Sequence, residues 1–218
     1  MTTISPRVDI LLETSSRPLR IGIMGGTFDP IHFGHLICAE QAREQFELDY
    51  VVFMPTGNPV FKMDKKVSSA EDRFQMTTIA TRKNLNFEVS RMEIDREGAT
   101  YTVDTLRMLR DVVPEGTELF FITGADAIIS VLKWKDAEKA IKMAHFVAAT
   151  RPGYDYSHLN DSIIENGELS DVSFFEVPGL AISSTDLRRR VSEGKSITYM
   201  TSFSVQAYIE EHGLYKDL

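Results

Sequence analysis

From Gly25 to His35 the chain reads Gly25-Gly26-Thr27-Phe28-Asp29-Pro30-Ile31-His32-Phe33-Gly34-His35, and these residue types suit the handling of an anion. Paired glycines let a backbone approach a ligand closely and expose N–H groups to it, and a helix opening just beyond adds the positive end of its dipole. His32 and His35 stand three apart, so on a first helical turn both rings share one face and can point at the same guest. Gly34 between them carries no side chain that could obstruct a flat base or a ribose. Phosphate is the natural guest. Each part alone has a plainer meaning. Two glycines after a strand are commonly a turn, Asp29-Pro30 is an ordinary helix-start signal, and an isolated histidine is commonly a partly buried structural residue. Their joint occurrence between a strand and a helix favours the phosphate reading.

The apolar pattern supplies those elements. Residues 19–24 predict a strand running into the glycines, and Leu36, Ile37, Ala39, Ala42 and Phe46 recur at helical spacing after them. Further strands are expected at 50–54, 87–89, 119–122, 145–149 and 172–177. Helical signals fall on Phe74, Met76 and Ile79 behind a Ser68/Glu71 capping box, and on Val103, Leu106 and Leu109, closed by Pro114 and Gly116. More follow up to Ala144, over about 184–191, and over about 204–212 before Gly213. Strands alternating with helices imply right-handed crossovers. The expected fold class is therefore α/β, Rossmann-like and doubly wound: a mostly parallel sheet with helices on both faces and a small C-terminal helical portion from about 180 to 218. Residues 1–18 read as a flexible polar extension and 19–218 as one domain. Ligands in such sheets bind beyond the carboxyl ends of the strands, which is where the 25–35 segment falls.

Composition narrows the partners. The 32 acidic residues outnumber the 24 Lys and Arg, for a net charge of −8, which disfavours a broad surface for nucleic acid or anionic membrane. Cations that handle phosphate must therefore be local. Cys38, the single cysteine, lies in an apolar helical pattern and reads as a small buried hydrophobe, in keeping with a reducing, cytoplasmic setting. There is no run of roughly 18 apolar residues and no secretory h-region. No His, Cys or carboxylate cluster has metal-ligand spacing, so no metal site in the chain itself is expected. Gly194-Lys195-Ser196 imitates the end of a P-loop, but the glycine that motif needs is replaced by Arg189, and Gly194 reads as a helix C-cap. Gly22, Gly25 and Gly26 lack the spacing of a dinucleotide fingerprint. The turn formers from Pro55 onward to Lys66 mark a mobile loop.

Gly-Gly-Thr-Phe-Asp-Pro-x-His-x-Gly-His resembles the signature of the nucleotidylyltransferase superfamily, and Ile182-Ser183-Ser184-Thr185-x-x-Arg188 resembles a second element of it. Hydroxyls at a helix N-cap with Arg188 one turn along give neutral donors and one fixed cation, suited to the β- and γ-phosphates of a nucleotide. From Arg20 onward the chain is similar to nicotinate-nucleotide adenylyltransferases in particular. The segments that carry this are Pro55-Thr56-Gly57-Asn58-Pro59, Tyr101-Thr102-Val103-Asp104-Thr105-Leu106, Thr123-Gly124-Ala125-Asp126, Trp134 and Arg151-Pro152-Gly153.

The resemblance implies transfer of the adenylyl group of ATP to nicotinate mononucleotide, giving deamido-NAD and pyrophosphate in NAD biosynthesis, with Mg²⁺ arriving on ATP. It implies that His32, His35 and Arg188 meet the triphosphate, that Gly25, Gly26, Thr27 and Phe28 lie close to the nucleotide, and that Gly124 and Asp126 hold the ribose. It also implies that Trp134 stacks on the pyridine ring, that Thr102 and the Lys135 backbone N–H face the nicotinate carboxylate, and that Asn58, Lys62 and Arg151 meet the acceptor phosphate. The loop departs from the family's Pro-Pro-His-Lys, reading Pro59-Val60-Phe61-Lys62, and Phe61 cannot donate to a phosphate. Two alternatives stay open: another acceptor, phosphopantetheine or nicotinamide mononucleotide, and an ATP-binding regulator without catalysis. A homo-oligomer is also left open.

Overall fold

Strand alternation decides the architecture, because every second side chain faces the opposite side of a sheet. The structure, a computed structural model, describes residues 3–58, 67–128, 134–150, 153 and 172–217. Six strands form one sheet: β1 (Arg20–Gly26), β2 (Tyr50–Pro55), β3 (Phe87–Val89), β4 (Glu118–Gly124), β5 (His145–Thr150) and β6 (Val172–Glu176), in the order β3-β2-β1-β4-β5-β6. Every pairing is parallel, and the runs in β1, β2 and β4 are apolar on both faces, as a sheet covered on both sides requires.

On one face Ile21, Ile23, Val52, Met54, Leu119, Phe121 and Phe146 share a buried cluster with α4 (Thr102–Val112) and α6 (Ala137–Ile141). On the other, Met24, Val51, Phe53, Phe120, Ile122 and Val147 pack with α2 (Phe33–Gln45) and α3 (Ala70–Thr81). The C-terminal helices α7 (Ser184–Ser192) and α8 (Phe203–Glu211) complete this second layer through Leu187, Val205 and Ile209. A short α5 (Ala125–Ile128) follows β4. The result is the expected doubly wound α/β fold, with a sheet parallel throughout.

The N-terminus corrects the sequence reading. The expected flexible extension over 1–18 contains a helix, α1 (Pro6–Thr14), capped by Ser5 with proline in its first turn. Ile4, just ahead of the N-cap, and Val8 are buried in the first cluster, Leu11 and Leu12 pack against it, and Arg7 pairs with Glu88 at 3.0 Å. That stripe docks one short helix. The cap of α3 is also shifted by one residue: the Ser69 hydroxyl accepts from the Asp72 amide at 3.0 Å, while the Ser68 amide donates to Asp29.

The order 3-2-1-4-5-6 places β1 and β4 side by side, with their crossovers leaving in opposite directions. A crevice opens beyond their carboxyl ends. Gly26 ends one of these strands and Gly124 the other.

Candidate active site

The turn after β1 is fixed by what holds its carbonyls. Gly26 O accepts from the Thr56 amide at 2.9 Å, Thr27 O from Arg73 at 3.0 Å, and Asp29 O from Arg188 at 2.7 Å. Pro30 O accepts from the Ser184 hydroxyl at 2.9 Å and Ile31 O from that of Thr201 at 2.8 Å. A carbonyl already accepting a hydrogen bond repels an incoming phosphate less than a bare one, and these bonds fix the turn before any ligand arrives. Asp29-Pro30 does not open the helix as its residue types suggest. The chain stays non-helical through His32, the N-cap, and α2 begins at Phe33.

The two inner glycines make room for rings. A Cβ on Gly26 would lie 2.8 Å from the Phe28 ring, and one on Gly34 would lie 3.0 Å from His32 Nδ1. Phe28, at φ +50°, is buried beneath the turn, edge-on to His35 at 5.1 Å and 5.7 Å from Phe53. Its side chain therefore supports the site from below, and only its backbone is left to approach a nucleotide.

His32 and His35 stack with centroids 3.7 Å apart, 19° from parallel. The His32 amide donates to His35 Nδ1 at 3.2 Å, so in a neutral His35 ring the proton sits on Nε2. Burial pushes the His32 imidazolium down to about 4, and its Nδ1 is enclosed without a hydrogen-bond partner. The His32 ring can thus serve as a neutral polar group at pH 7, and Arg188 adds a fixed cation, its guanidinium 4.0 Å from the Asp29 carboxylate. The serines of the second motif act largely as structure: Ser183 caps α7 by accepting from the Asp186 amide, and the Ser184 proton is given to Pro30.

Beside the histidines lies a cleft of about 320 Å³ lined by His32, Gly34, His35, Gly124, Leu180 and Ile182. Among the described residues nothing beyond its chain neighbours stands within 4 Å of where a Gly124 Cβ would be, so these leave that side of the cleft open at the end of β4.

A second group of expected residues gathers around the start of α4. Thr102 is its first residue. Asn58 is tied to the preceding loop, its amide donating to Thr100 Oγ1 at 3.3 Å and its side-chain Nδ2 to Gly98 O at 3.0 Å. Lys135 Nζ reaches Asp104 at 3.3 Å over the Tyr101 ring, so its ammonium is engaged by α4. Trp134 is partly buried, edge-on to Phe121 at 6.1 Å and 6.5 Å from Phe146, so it packs on the core whatever else it does. Lys62 and Arg151 lie outside the described residues, as does the side chain of Asp126.

Comparison with known proteins bears on this arrangement. A family model described as cytidylyltransferase-like matches residues 23–190, a span that includes both motifs. A protein of Thermoanaerobacter sp. (strain X514) named probable nicotinate-nucleotide adenylyltransferase is 50% identical over 202 residues, covering 92% of this chain and 96% of that one. A protein of the same name from Leifsonia xyli subsp. xyli (strain CTCB07) is 53% identical over 207 residues, with 95% and 98% covered. The chain belongs to the nicotinate-nucleotide adenylyltransferase family. Among solved structures, Plasmodium falciparum nicotinic acid mononucleotide adenylyltransferase complexed with NaAD shares the fold. Its TM-score is 0.74 over 91% of this chain and 98% of that one, at 20% identity. Membership makes the chain a nucleotidyltransferase.

Three buried charged residues of this family member escape sequence reasoning. Asp29 accepts from Tyr215 Oη at 2.7 Å and from the Ser68 amide at 3.3 Å, although its motif position suggested only a helix start. Arg73 is 1% exposed in α3. Glu93 accepts from Thr105 Oγ1 at 2.6 Å, and burial pushes its carboxyl up to about 7 against that bond and the charges of Arg96 and Arg73. A signal existed for Arg73: with Met76, Thr77 and Thr81 it occupies the i, i+3, i+4, i+8 stripe that α3 buries. Among the described residues no group of His, Cys, Asp and Glu could hold a metal ion, and no helix is long and apolar enough to cross a membrane.

Proposed function

We propose that this protein transfers the adenylyl group of ATP to nicotinate mononucleotide, in the cytoplasm, releasing pyrophosphate and forming deamido-NAD. The observation that carries the reading is the stacked His32–His35 pair beside the cleft, with Arg188 bonded to the same turn, in a chain of this family. ATP enters as its Mg²⁺ complex, the cation being part of the substrate. An oxygen of the acceptor phosphate attacks the α-phosphorus in line; the bond to the bridging oxygen breaks and pyrophosphate leaves with the electron pair. The protein's work is positioning and charge stabilisation.

His35 Nε2–H donates to a phosphate oxygen on which charge grows, and Arg188 faces the β- and γ-phosphates. Backbone from Gly25 to Phe28 lies against the nucleotide, with Gly124 and Asp126 at the ribose. Trp134, Thr102 and the Lys135 amide receive the nicotinate ring and its carboxylate, and Asn58, Lys62 and Arg151 the acceptor phosphate. No protein nucleophile takes part. Cys38, which lines the cleft, is held as an unreactive thiol because burial pushes it up to about 12.

A coupled pyrophosphate-release assay with ATP and a panel of mononucleotides together with phosphopantetheine tests the reading. Release with nicotinate mononucleotide above all others is expected. ATP binding without release for any acceptor would instead mark a regulator, and release with phosphopantetheine alone would overturn the acceptor.

A further inference from the structure

Arg73 presents an arrangement that the reaction as described does not use. Its three nitrogens take three backbone carbonyls from different parts of the chain. Nε donates to Ser68 O at 3.1 Å, Nη1 to Thr27 O at 3.0 Å and Nη2 to Gly57 O at 3.1 Å. Thr27 belongs to the turn that follows β1, Gly57 to the exit from β2, and Ser68 to the approach to α3. Gly57 and Ser68 are thus held by one side chain, and its third partner is the turn after β1.

A guanidinium is planar, and its donors diverge in a fixed fork, so the three carbonyls are held at set relative positions. Burial works against the charge, and the nearby carboxylate of Asp29 supports it. Asp29 extends the link: its carboxylate takes the Ser68 amide, and its own carbonyl takes Arg188. A helix stripe position that needed only filling would accept an apolar side chain at lower desolvation cost.

We propose that Arg73 is a positioning residue that sets the spacing between the triphosphate turn and the acceptor-phosphate segment. It thereby brings the attacking oxygen into line with the α-phosphorus. The inference rests on the assignment above of the Gly25–Phe28 turn to ATP and of Asn58 to the acceptor. Reactions of two positioned substrates are steep in geometry: a misplacement of roughly 1 Å costs about 10²-fold in rate. Arg73 touches no substrate, so its loss should register in the alignment of the two substrates and little in ATP binding.

The test compares wild type with Arg73→Lys and Arg73→Gln by thermal melting and by steady-state kinetics with ATP and nicotinate mononucleotide. Arg73→Lys keeps the charge and loses the fork. It is expected to fold, to keep the ATP KM within about threefold, and to lose on the order of 10²-fold in kcat with a raised acceptor KM. Wild-type kcat and acceptor KM in the folded fraction, with only a lowered melting temperature, would overturn the inference. Should both variants fail to fold, Gly57→Ala probes the same strut from its other end. A Cβ there would lie 2.2 Å from Glu93 O and must displace the carbonyl that Arg73 holds. The same split between kcat and ATP KM is expected of it, and unchanged kinetics would overturn the inference. A wild-type protein that transfers no adenylyl group would refute the functional reading and this inference with it, whereas an active wild type with indifferent variants refutes this inference alone.

Discussion

At the scale of single residues, His35 is where chemistry and packing can be separated. Its ring meets Phe28 edge-on and stacks on His32, contacts that contribute about 1 kcal/mol each. The role proposed for it toward phosphate would weigh far more: removing one preorganised donor costs on the order of 10²- to 10³-fold in kcat. His35→Ala should therefore lower kcat by about 10²-fold or more and the melting temperature by only a few degrees, read from parallel kinetics and calorimetry. An unchanged kcat with a large melting loss would make it a structural histidine. Glu93 gives a pH prediction. Its folded-state value of about 7 stands above the ordinary 4.5, so the folded protein binds the proton more tightly than the unfolded chain. Its contribution is complete below pH 4.5 and is lost as pH rises to about 7. Glu93→Gln, which mimics the protonated acid, should thus be more stable than wild type above pH 7, by on the order of 3 kcal/mol, with the gap closing toward pH 4.5. Urea denaturation at several pH values reads this directly, and a gap that is constant with pH would remove the titration from Glu93. That His32 and His35 come together was legible in their spacing. Asp29 was not, because its partners Tyr215, Ser68 and Arg188 come from distant parts of the chain.

Among the elements, legibility followed periodicity. Strands such as β1 and β4 read correctly because long apolar runs between turn formers leave few alternatives, and the β1 turn followed from its glycines. The ends moved by a residue or two, as with the cap of α3, where two adjacent serines compete and only tertiary contact to Asp29 decides between them. The helix α1 was missed although Ser5-Pro6 is a helix-start signal and Val8, Leu11 and Leu12 keep i, i+3, i+4 spacing; nine residues are too few to hold a helix alone, and its stability comes from docking. That gives it a test: Val8→Ala removes a buried anchor at 1% exposure and should cost about 2 kcal/mol in urea denaturation with kcat unchanged, since α1 contributes nothing to the cleft. A variant as stable as wild type would detach α1 from the fold.

For the whole molecule, a chain of net charge −8 must bring together two anionic substrates, and the proposed site would do so with local groups: Arg188 at one motif and the histidine pair at the other. Screening limits the reach of the remaining acidic surface to about 8–10 Å at physiological salt. Thr102 opens α4, a helix of 11 residues; a carboxylate placed there as proposed would meet hydroxyl, amides and helix dipole, which together favour it over a carboxamide. An amide NH₂ placed before such donors leaves them unpaired, at about 1–3 kcal/mol per group. The measurement that bears most directly on the account is kcat/KM for nicotinate and nicotinamide mononucleotides, under the same Mg²⁺ and salt, with the dinucleotide product identified. A preference of roughly 10²-fold or more for the nicotinate form is expected. Equal values, or better use of the amide, would contradict it.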